Sequence, residues 1–174
     1  MPKPKVLLAD DHTIVLDGLR SLLEDEFELV GSVEDGRALV AAATANVPDV
    51  IVVDISMPLL NGIEAVRQLR AAGNEAKVIF LTMHGDVTFV REALRARGSG
   101  YLLKRSAAKE LVTAIQQVLR GKIYVTPLVT DDLPDMLPGP IRDVEQIGTN
   151  LRTGRRRSCS LSRKATRSKR SPAF

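Results

Sequence analysis

The sequence predicts an α/β fold in which five strand–helix units build one parallel sheet. Short apolar runs alternate with amphipathic stretches over residues 4–122, and the apolar residues of those stretches recur at helical spacing. The runs are apolar throughout, which is typical of strands buried on both faces of a sheet. Strand–helix alternation of this kind gives parallel strands joined by right-handed crossovers.

Each predicted strand is a short, mainly aliphatic run, and the runs cover residues 6–9, 29–33, 50–53, 78–81 and 101–103. Four of them stop at residues that can take part in chemistry, namely Asp10-Asp11, Asp54, Thr82 and Lys104. In an open parallel sheet, ligands bind outside the carboxyl ends of the strands. We therefore expect these residues to meet at one edge of the sheet and to form the functional site.

The predicted helices follow the strands in turn. The first, third and fourth are predicted from apolar residues at helical spacing: Ile14, Leu16, Leu19, Leu22 and Leu23, then Ile63, Val66 and Leu69, then Val87, Val90 and Leu94. The second is an alanine-rich stretch over residues 39–45. The fifth covers residues 107–119 and stops before Gly121, which is a suitable helix terminator.

The composition is typical of a globular protein with an aliphatic core. The 174 residues are 44% hydrophobic and 26% charged, and only 3% are aromatic. The single cysteine, Cys159, excludes a disulfide framework and a cysteine-rich zinc site. We find no signal peptide and no apolar run near the roughly 20 residues that a membrane helix needs. We therefore expect a cytoplasmic protein that does not contact a membrane.

The charge is distributed unevenly along the chain. Residues 151–174 hold nine of the 25 basic residues and no acidic residue, which leaves 16 basic and 21 acidic residues before them. Residues 123–150 carry four prolines and several acidic residues, a composition typical of a linker. The sequence thus predicts a domain over residues 1–122, a linker over 123–150, and a basic disordered tail over 151–174.

Three carboxylates are expected to converge at the predicted site: Asp10 and Asp11 after the first strand, and Asp54 after the third. Like charges this close repel one another, and a divalent cation relieves the repulsion. Carboxylate oxygens suit Mg²⁺, which keeps several waters and binds the phosphate oxygens of substrates. Any one of these residues alone is readily explained as an acidic residue at a loop start. Together with Thr82 and Lys104, the three predict a Mg²⁺ site.

Asp54 is the candidate nucleophile of this site. A carboxylate can attack phosphorus and form an aspartyl phosphate, and negative charge then lies on the equatorial phosphoryl oxygens. Lys104 is a candidate point charge that neutralises part of it, and the Thr82 hydroxyl is a candidate hydrogen-bond donor to it. The alternatives are a solvated lysine and an ordinary strand-end threonine. His12 is a further candidate metal ligand, although a helix-start residue is the simpler interpretation.

Four segments together resemble a known family: Asp10-Asp11, the segment 54–58 (Asp-Ile-Ser-Met-Pro) with Gly62, the segment 81–84 (Leu-Thr-Met-His), and the segment 100–104 (Gly-Tyr-Leu-Leu-Lys). In this order and spacing they resemble the receiver domain of two-component response regulators, over roughly residues 4–122. The third and fourth segments are most similar to the NarL-type branch. The resemblance implies a flavodoxin-like, doubly wound fold with sheet order 2-1-3-4-5.

The resemblance also implies roles for individual residues. The implied Mg²⁺ ligands are Asp10, Asp11, Asp54 and the backbone carbonyl of Ser56. Asp54 would accept a phosphoryl group from a histidine of a sensor kinase. Thr82 and Tyr101 would form a switch pair, in which the hydroxyl turns toward the phosphate and the ring follows it inward. The family also suggests a homodimer on phosphorylation.

The end of the chain departs from the family pattern. NarL-type regulators carry a LuxR-type helix-turn-helix domain that binds DNA and should begin near residue 150, but residues 151–174 lack its periodicity. One explanation is a basic tail that contacts phosphate backbones without sequence preference. The other, which we favour, is an out-of-frame remnant of that domain. A shifted reading of permitted codons for residues 158–174 gives an apolar pattern similar to its first helices.

Three classes of function follow from these observations. The first is a response regulator of a two-component phosphorelay that controls transcription; it catalyses only its own phosphorylation and dephosphorylation and is otherwise not an enzyme. The second is a stand-alone receiver that acts by protein–protein contact. The third, an aspartate-based phosphatase, is disfavoured because such enzymes usually have a second aspartate where this chain has Ser56. DNA binding is expected only from an intact helix-turn-helix domain or from the basic tail.

Overall fold

The computed structural model describes residues 2–83 and 85–127. Within these residues one sheet of parallel strands is flanked by helices. The strands are β1 (Lys5–Ala9), β2 (Glu28–Val33), β3 (Val50–Asp54), β4 (Lys77–Thr82), β5 (Gly100–Leu103) and β6 (Tyr124–Val125). The helices are α1 (Thr13–Leu23), α2 (Gly36–Asn46), α3 (Gly62–Ala71), α4 (Val87–Arg95) and α5 (Lys104–Leu119). None of these helices is long and apolar enough to cross a membrane.

The strand order is β2-β1-β3-β4-β5-β6. The predicted order 2-1-3-4-5 is therefore confirmed, and a sixth strand extends the sheet beyond β5. All neighbouring strands are parallel, and the last residue of β3, Asp54, lies opposite Leu81 of β4. The segments that follow β1, β3, β4 and β5 consequently leave the sheet at the same edge.

Burial on both faces explains why the strands are apolar throughout. Leu7 belongs to a buried cluster that includes residues of α2, α3 and α4, whereas its neighbours Val6 and Leu8 belong to a second buried cluster with residues of α1 and α5. Successive strand residues point to opposite faces of a sheet, so the buried positions of the central strands β1, β3 and β4 need apolar side chains on both faces. Full burial of one such side chain contributes roughly 1.5–3 kcal/mol.

The fifth helix begins earlier than the sequence predicts. Helix α5 starts at Lys104 and not at residue 107. The prediction depended on apolar periodicity, which begins only at Ala107, because the first turn of the helix is polar. The correction matters for the site, since it makes Lys104 the first residue of a helix.

Strand β6 lies in the segment that the sequence analysis assigned to the linker. Tyr124 and Val125 pair in parallel with Gly100 and Tyr101, so the sheet continues past residue 122. Both residues have side chains that favour strands. Residues 128–150 of the predicted linker, the tail at 151–174 with Cys159, and His84 lie outside the described residues.

Candidate functional site

The carboxyl edge of the sheet brings together the residues that the sequence singled out. Strand β3 is buried along its whole length and ends at Asp54, which is itself buried. Asp10 directly follows β1, and Thr82 ends β4; both are buried as well. Each polar group is thus held in place by the apolar strand that precedes it.

A lysine connects the two buried carboxylates. Lys104 Nζ lies 2.7 Å from Asp10 Oδ2 and donates to Asp54 Oδ2 at 2.8 Å. The Asp10 side chain is fully buried, and only 8% of the Lys104 side chain is exposed. A helix N-terminus disfavours a cation, and the cap residue of α5, Leu103, has no capping side chain. The two carboxylates therefore compensate an otherwise unfavourable position for a lysine.

These contacts shift the ionisation of the site. Burial raises the pKa of Asp54, and the charge of Asp10 adds to this, while Lys104 and the Ser56 amide act in the opposite direction without cancelling it. Burial alone would lower the pKa of Lys104, but its interactions with Asp10 and Asp54 outweigh burial and leave that pKa raised. The site therefore holds the lysine charged, and it makes the charged form of Asp54 costly.

The acidic group has the donor set of a divalent-cation site. Ligand atoms of Asp10, Asp11, His12 and Asp54 all lie within 4.8 Å of one another. Lys104 lies close to the buried Asp10 Oδ2, but among the described residues no hydrogen bond of regular geometry reaches this oxygen. Hard carboxylate oxygens at this spacing, one of them without a regular donor, fit Mg²⁺.

His12 lies at the start of α1 and also beside the acidic group. It is the N-cap of α1, although its side chain does not cap the helix. Its ring Nδ1 also lies 3.1 Å from Asp10 Oδ1 and 2.8 Å from Asp11 Oδ1. The ring is thus a neighbour of the acidic group and a helix-start residue at the same time.

The loop after β3 is packed tightly against Asp54. A Cβ atom on Gly62 would lie 2.1 Å from the backbone oxygen of Asp54, so only glycine fits at the start of α3. The Ser56 amide donates to Asp54 Oδ1 at 3.3 Å, whereas the role of the Ser56 carbonyl as a metal ligand stays a prediction. Leu59 has a left-handed backbone with φ of 65°. This conformation is unfavourable for residues other than glycine.

The predicted switch pair is in contact. A side-chain hydrogen bond joins Tyr101 to Thr82, and burial raises the pKa of the Tyr101 hydroxyl to about 12. The Tyr101 ring is almost completely buried. The role of the pair as a switch stays a prediction.

Three exposed apolar side chains lie in the segments that follow β1, β3 and β4. Ile14 in the first turn of α1 is 85% exposed, Leu59 is 74% exposed and Met83 is 70% exposed. Ile14 fits the apolar spacing of α1, but it lies on the first turn beyond the edge of the sheet. Each of the three follows a strand that contributes to the site, so the charged centre has an apolar rim.

Comparison with known proteins gives a consistent result. A family model described as the response regulator receiver domain matches residues 6–116. The chain is 39% identical over 133 residues to the transcriptional regulatory protein DegU of Brevibacillus brevis, which covers 75% of the chain and 56% of DegU. It is 33% identical over 131 residues to the response regulator GacA of Pseudomonas aeruginosa, with 74% and 61% covered. The chain spans about half the length of these curated relatives.

Solved structures show the same likeness. A LuxR-family two-component response regulator from Aurantimonas has a TM-score of 0.71 at 33% identity, covering 74% of this chain and 94% of that one. The isolated receiver domain of RcsB from Salmonella enterica, solved with the phosphomimetic BeF3⁻, has a TM-score of 0.68 at 29% identity, covering 74% and 97%.

Proposed function

Because the chain belongs to the response regulator receiver domain family of two-component systems, we propose that Asp54 accepts a phosphoryl group from a sensor histidine kinase in a Mg²⁺-dependent reaction. The observation that carries this proposal is the buried contact of Lys104 with both Asp10 and Asp54 at the carboxyl edge of the sheet. A cation held against two buried carboxylates is the local charge arrangement that a transferred phosphoryl group requires.

The proposed transfer forms one bond and breaks one bond. An oxygen of Asp54 bonds to phosphorus, while the bond from phosphorus to the kinase histidine breaks and leaves its electron pair on the nitrogen. Lys104 stays paired with Asp10 and neutralises charge on the phosphoryl oxygens. Asp10, Asp11, Asp54 and the backbone carbonyl of Ser56 would hold Mg²⁺, which supplies further neutralisation of that charge.

Thr82 and Tyr101 would convert phosphorylation of Asp54 into a change of the protein surface. In the proposal, the Thr82 hydroxyl donates to a phosphoryl oxygen, and the phosphoryl group favours the buried position of the Tyr101 ring beside Thr82 over an outward one. Phosphorylation then favours one of two arrangements of the same element. The protein acts on no separate substrate: it catalyses only its own phosphorylation and dephosphorylation.

The apolar rim formed by Ile14, Leu59 and Met83 supports a protein partner at the site. Large exposed apolar side chains around a functional group mark a contact surface more often than single ones do. We assign this rim to the sensor kinase, whose histidine must come within bonding distance of Asp54.

The output of the switch is proposed from the relatives. DegU carries the printed description of a transcriptional regulator, and the chain covers the receiver portion of such proteins. We therefore propose a transcriptional output that uses a homodimer formed on phosphorylation. Sedimentation of the protein with and without acetyl phosphate measures the dimer directly.

Acetyl phosphate and Mg²⁺ provide the experiment that tests the phosphoryl acceptor. Intact mass should show one added phosphoryl group on the wild type and none on Asp54→Asn. A matched control is Asp49→Asn, because Asp49 lies just before β3, at the opposite end of the strand from Asp54. The control should be phosphorylated like the wild type. Phosphorylation of Asp54→Asn at the wild-type level would refute the assignment.

A further inference from the structure

The segment after α5 is hydrogen-bonded along the whole of β5. Tyr124 N donates to Ser99 O at 3.0 Å, Thr126 N donates to Tyr101 O at 2.9 Å, and Leu103 N donates to Thr126 Oγ1 at 3.3 Å. These bonds reach from the residue before β5 to the residue before Lys104. Strand β6 and Thr126 therefore fix the backbone that carries both the switch tyrosine and the site lysine.

Thr126 makes the contact nearest to the site. It is fully buried, and its side-chain hydroxyl accepts the hydrogen bond of Leu103 N–H. In a longer strand a backbone carbonyl would accept this bond, but β6 ends at Val125. A valine at position 126 would keep the shape of the side chain and remove the acceptor, whereas a serine would keep the acceptor.

Strand β6 is a short element at the edge of the sheet, the kind of element whose docking can respond to a nearby site. The strand has two residues, and such short edge elements open locally at a small part of the global unfolding free energy. Further contacts are the hydrogen bond from the Tyr124 hydroxyl to the Glu110 carboxylate at 3.1 Å and the packing of Val125 and Tyr124 against the two buried clusters. Docked β6 coexists in this structure with inward Tyr101 and with Lys104 held at the two carboxylates.

We propose that Thr126 is a positioning residue for Lys104, acting through the Leu103 amide, and that phosphorylation of Asp54 stabilises the docked state of β6. The proposal rests on the proposed function of Asp54. Coupling between two sites is reciprocal, so weakening the Thr126 contact must also weaken binding of a phosphoryl mimic at Asp54. Phosphorylation of Asp54 would thereby affect the segment that follows Thr126 through the buried Thr126 hydroxyl.

The test uses the full chain with Mg²⁺ and beryllofluoride as the phosphoryl mimic. Amide hydrogen exchange of Leu103 and Thr126, measured by NMR, should slow at least about fivefold in the wild type when beryllofluoride binds. Thr126→Val should speed exchange of the Leu103 amide in the free protein and raise the half-saturating beryllofluoride concentration by about fivefold or more. Thr126→Ser should restore both values.

Thr44→Val is the matched control, because it removes a threonine hydroxyl hydrogen bond on α2, to Val40 O. It should leave both values unchanged. If beryllofluoride saturates the wild type without changing exchange at Leu103 and Thr126, or if Thr126→Val binds it as tightly as the wild type, the coupling is wrong and the function of Asp54 stands. If beryllofluoride does not bind the wild type, the proposed function fails and the coupling fails with it.

Discussion

In the interior of the sheet, β1, β3 and β4 contribute almost only aliphatic and aromatic side chains, whereas at their carboxyl ends they gather buried charges. Asp10, Asp54 and Lys104 lie within hydrogen-bonding distance there, with a lysine at a helix N-terminus. Leu59 adds a left-handed backbone nearby. The interior consists of buried apolar side chains, whereas the edge holds the buried charges that a phosphoryl acceptor needs.

The interior of the sheet and its carboxyl edge contribute to stability with opposite signs. Apolar burial in the interior stabilises the fold, while buried carboxylates and backbone strain at the edge reduce that stability. Substitutions should therefore have opposite signs in the two regions. Truncations inside should destabilise, and some changes at the edge should stabilise while they abolish function.

The largest effect is expected in the interior. Phe80 of β4 is fully buried, so Phe80→Ala should lower the free energy of unfolding by about 4 kcal/mol through lost burial and a cavity. Urea unfolding monitored by circular dichroism measures this loss. The contrast between the regions would be lost if the change were below about 1 kcal/mol.

The next largest effect is expected at Lys104. Lys104→Met leaves Asp10 and Asp54 buried without their cation, which should lower the free energy of unfolding by about 3 kcal/mol. Added Mg²⁺ should restore part of the lost stability, because a divalent cation also reduces the repulsion between the two carboxylates. The control is Lys109→Met, since Lys109 is exposed on the same helix. Equal losses in both variants would contradict the role of Lys104.

Neutralising Asp54 should have the opposite sign. Burial raises the pKa of Asp54, so the folded protein holds this proton more tightly than the unfolded chain does. The free energy of unfolding then falls as pH rises from the ordinary aspartate value of 3.8 through the folded pKa, and the full penalty persists above it. Near neutral pH without Mg²⁺, Asp54→Asn should therefore be more stable than the wild type.

The pH profile separates this effect from general stabilisation. Thermal unfolding of both proteins across acidic and neutral pH should show the gain vanish well below pH 3.8, where the folded and unfolded wild type both hold the proton. A gain that is constant with pH, or a loss near neutral pH, would contradict the account of Asp54.

The smallest effect on stability is expected at Leu59. Leu59→Gly relieves the left-handed backbone, and after the entropy of glycine is counted it should gain about 0.5 kcal/mol. Phosphorylation by acetyl phosphate should not change, whereas transfer from a histidine kinase that phosphorylates the wild type should slow. The control Leu59→Ala removes the apolar side chain but keeps the strain, so it should slow kinase transfer without the gain. Unchanged kinase transfer in both variants would remove Leu59 from the contact surface.

The sequence predicts the strands and their polar ends well, because apolar runs and the residues that stop them are local signals. It does not predict the direct contact of Lys104 with Asp10, since this depends on how β1 and β5 are placed across the sheet. The predicted start of the fifth helix at residue 107 is wrong, because the polar first turn from Lys104 carries no apolar periodicity. Strand β6 was missed because two strand-forming residues before a proline are too short a signal.

Chemical trapping of the phosphorylated residue identifies the phosphoryl acceptor. Protein treated with acetyl phosphate and Mg²⁺ would be reduced with borohydride, which converts an aspartyl phosphate to homoserine, and then mapped by peptide mass spectrometry. The account predicts homoserine at position 54 and at no other aspartate. Phosphate that maps to another residue, or no trapped product from protein that has gained a phosphoryl group, would contradict Asp54 as the acceptor.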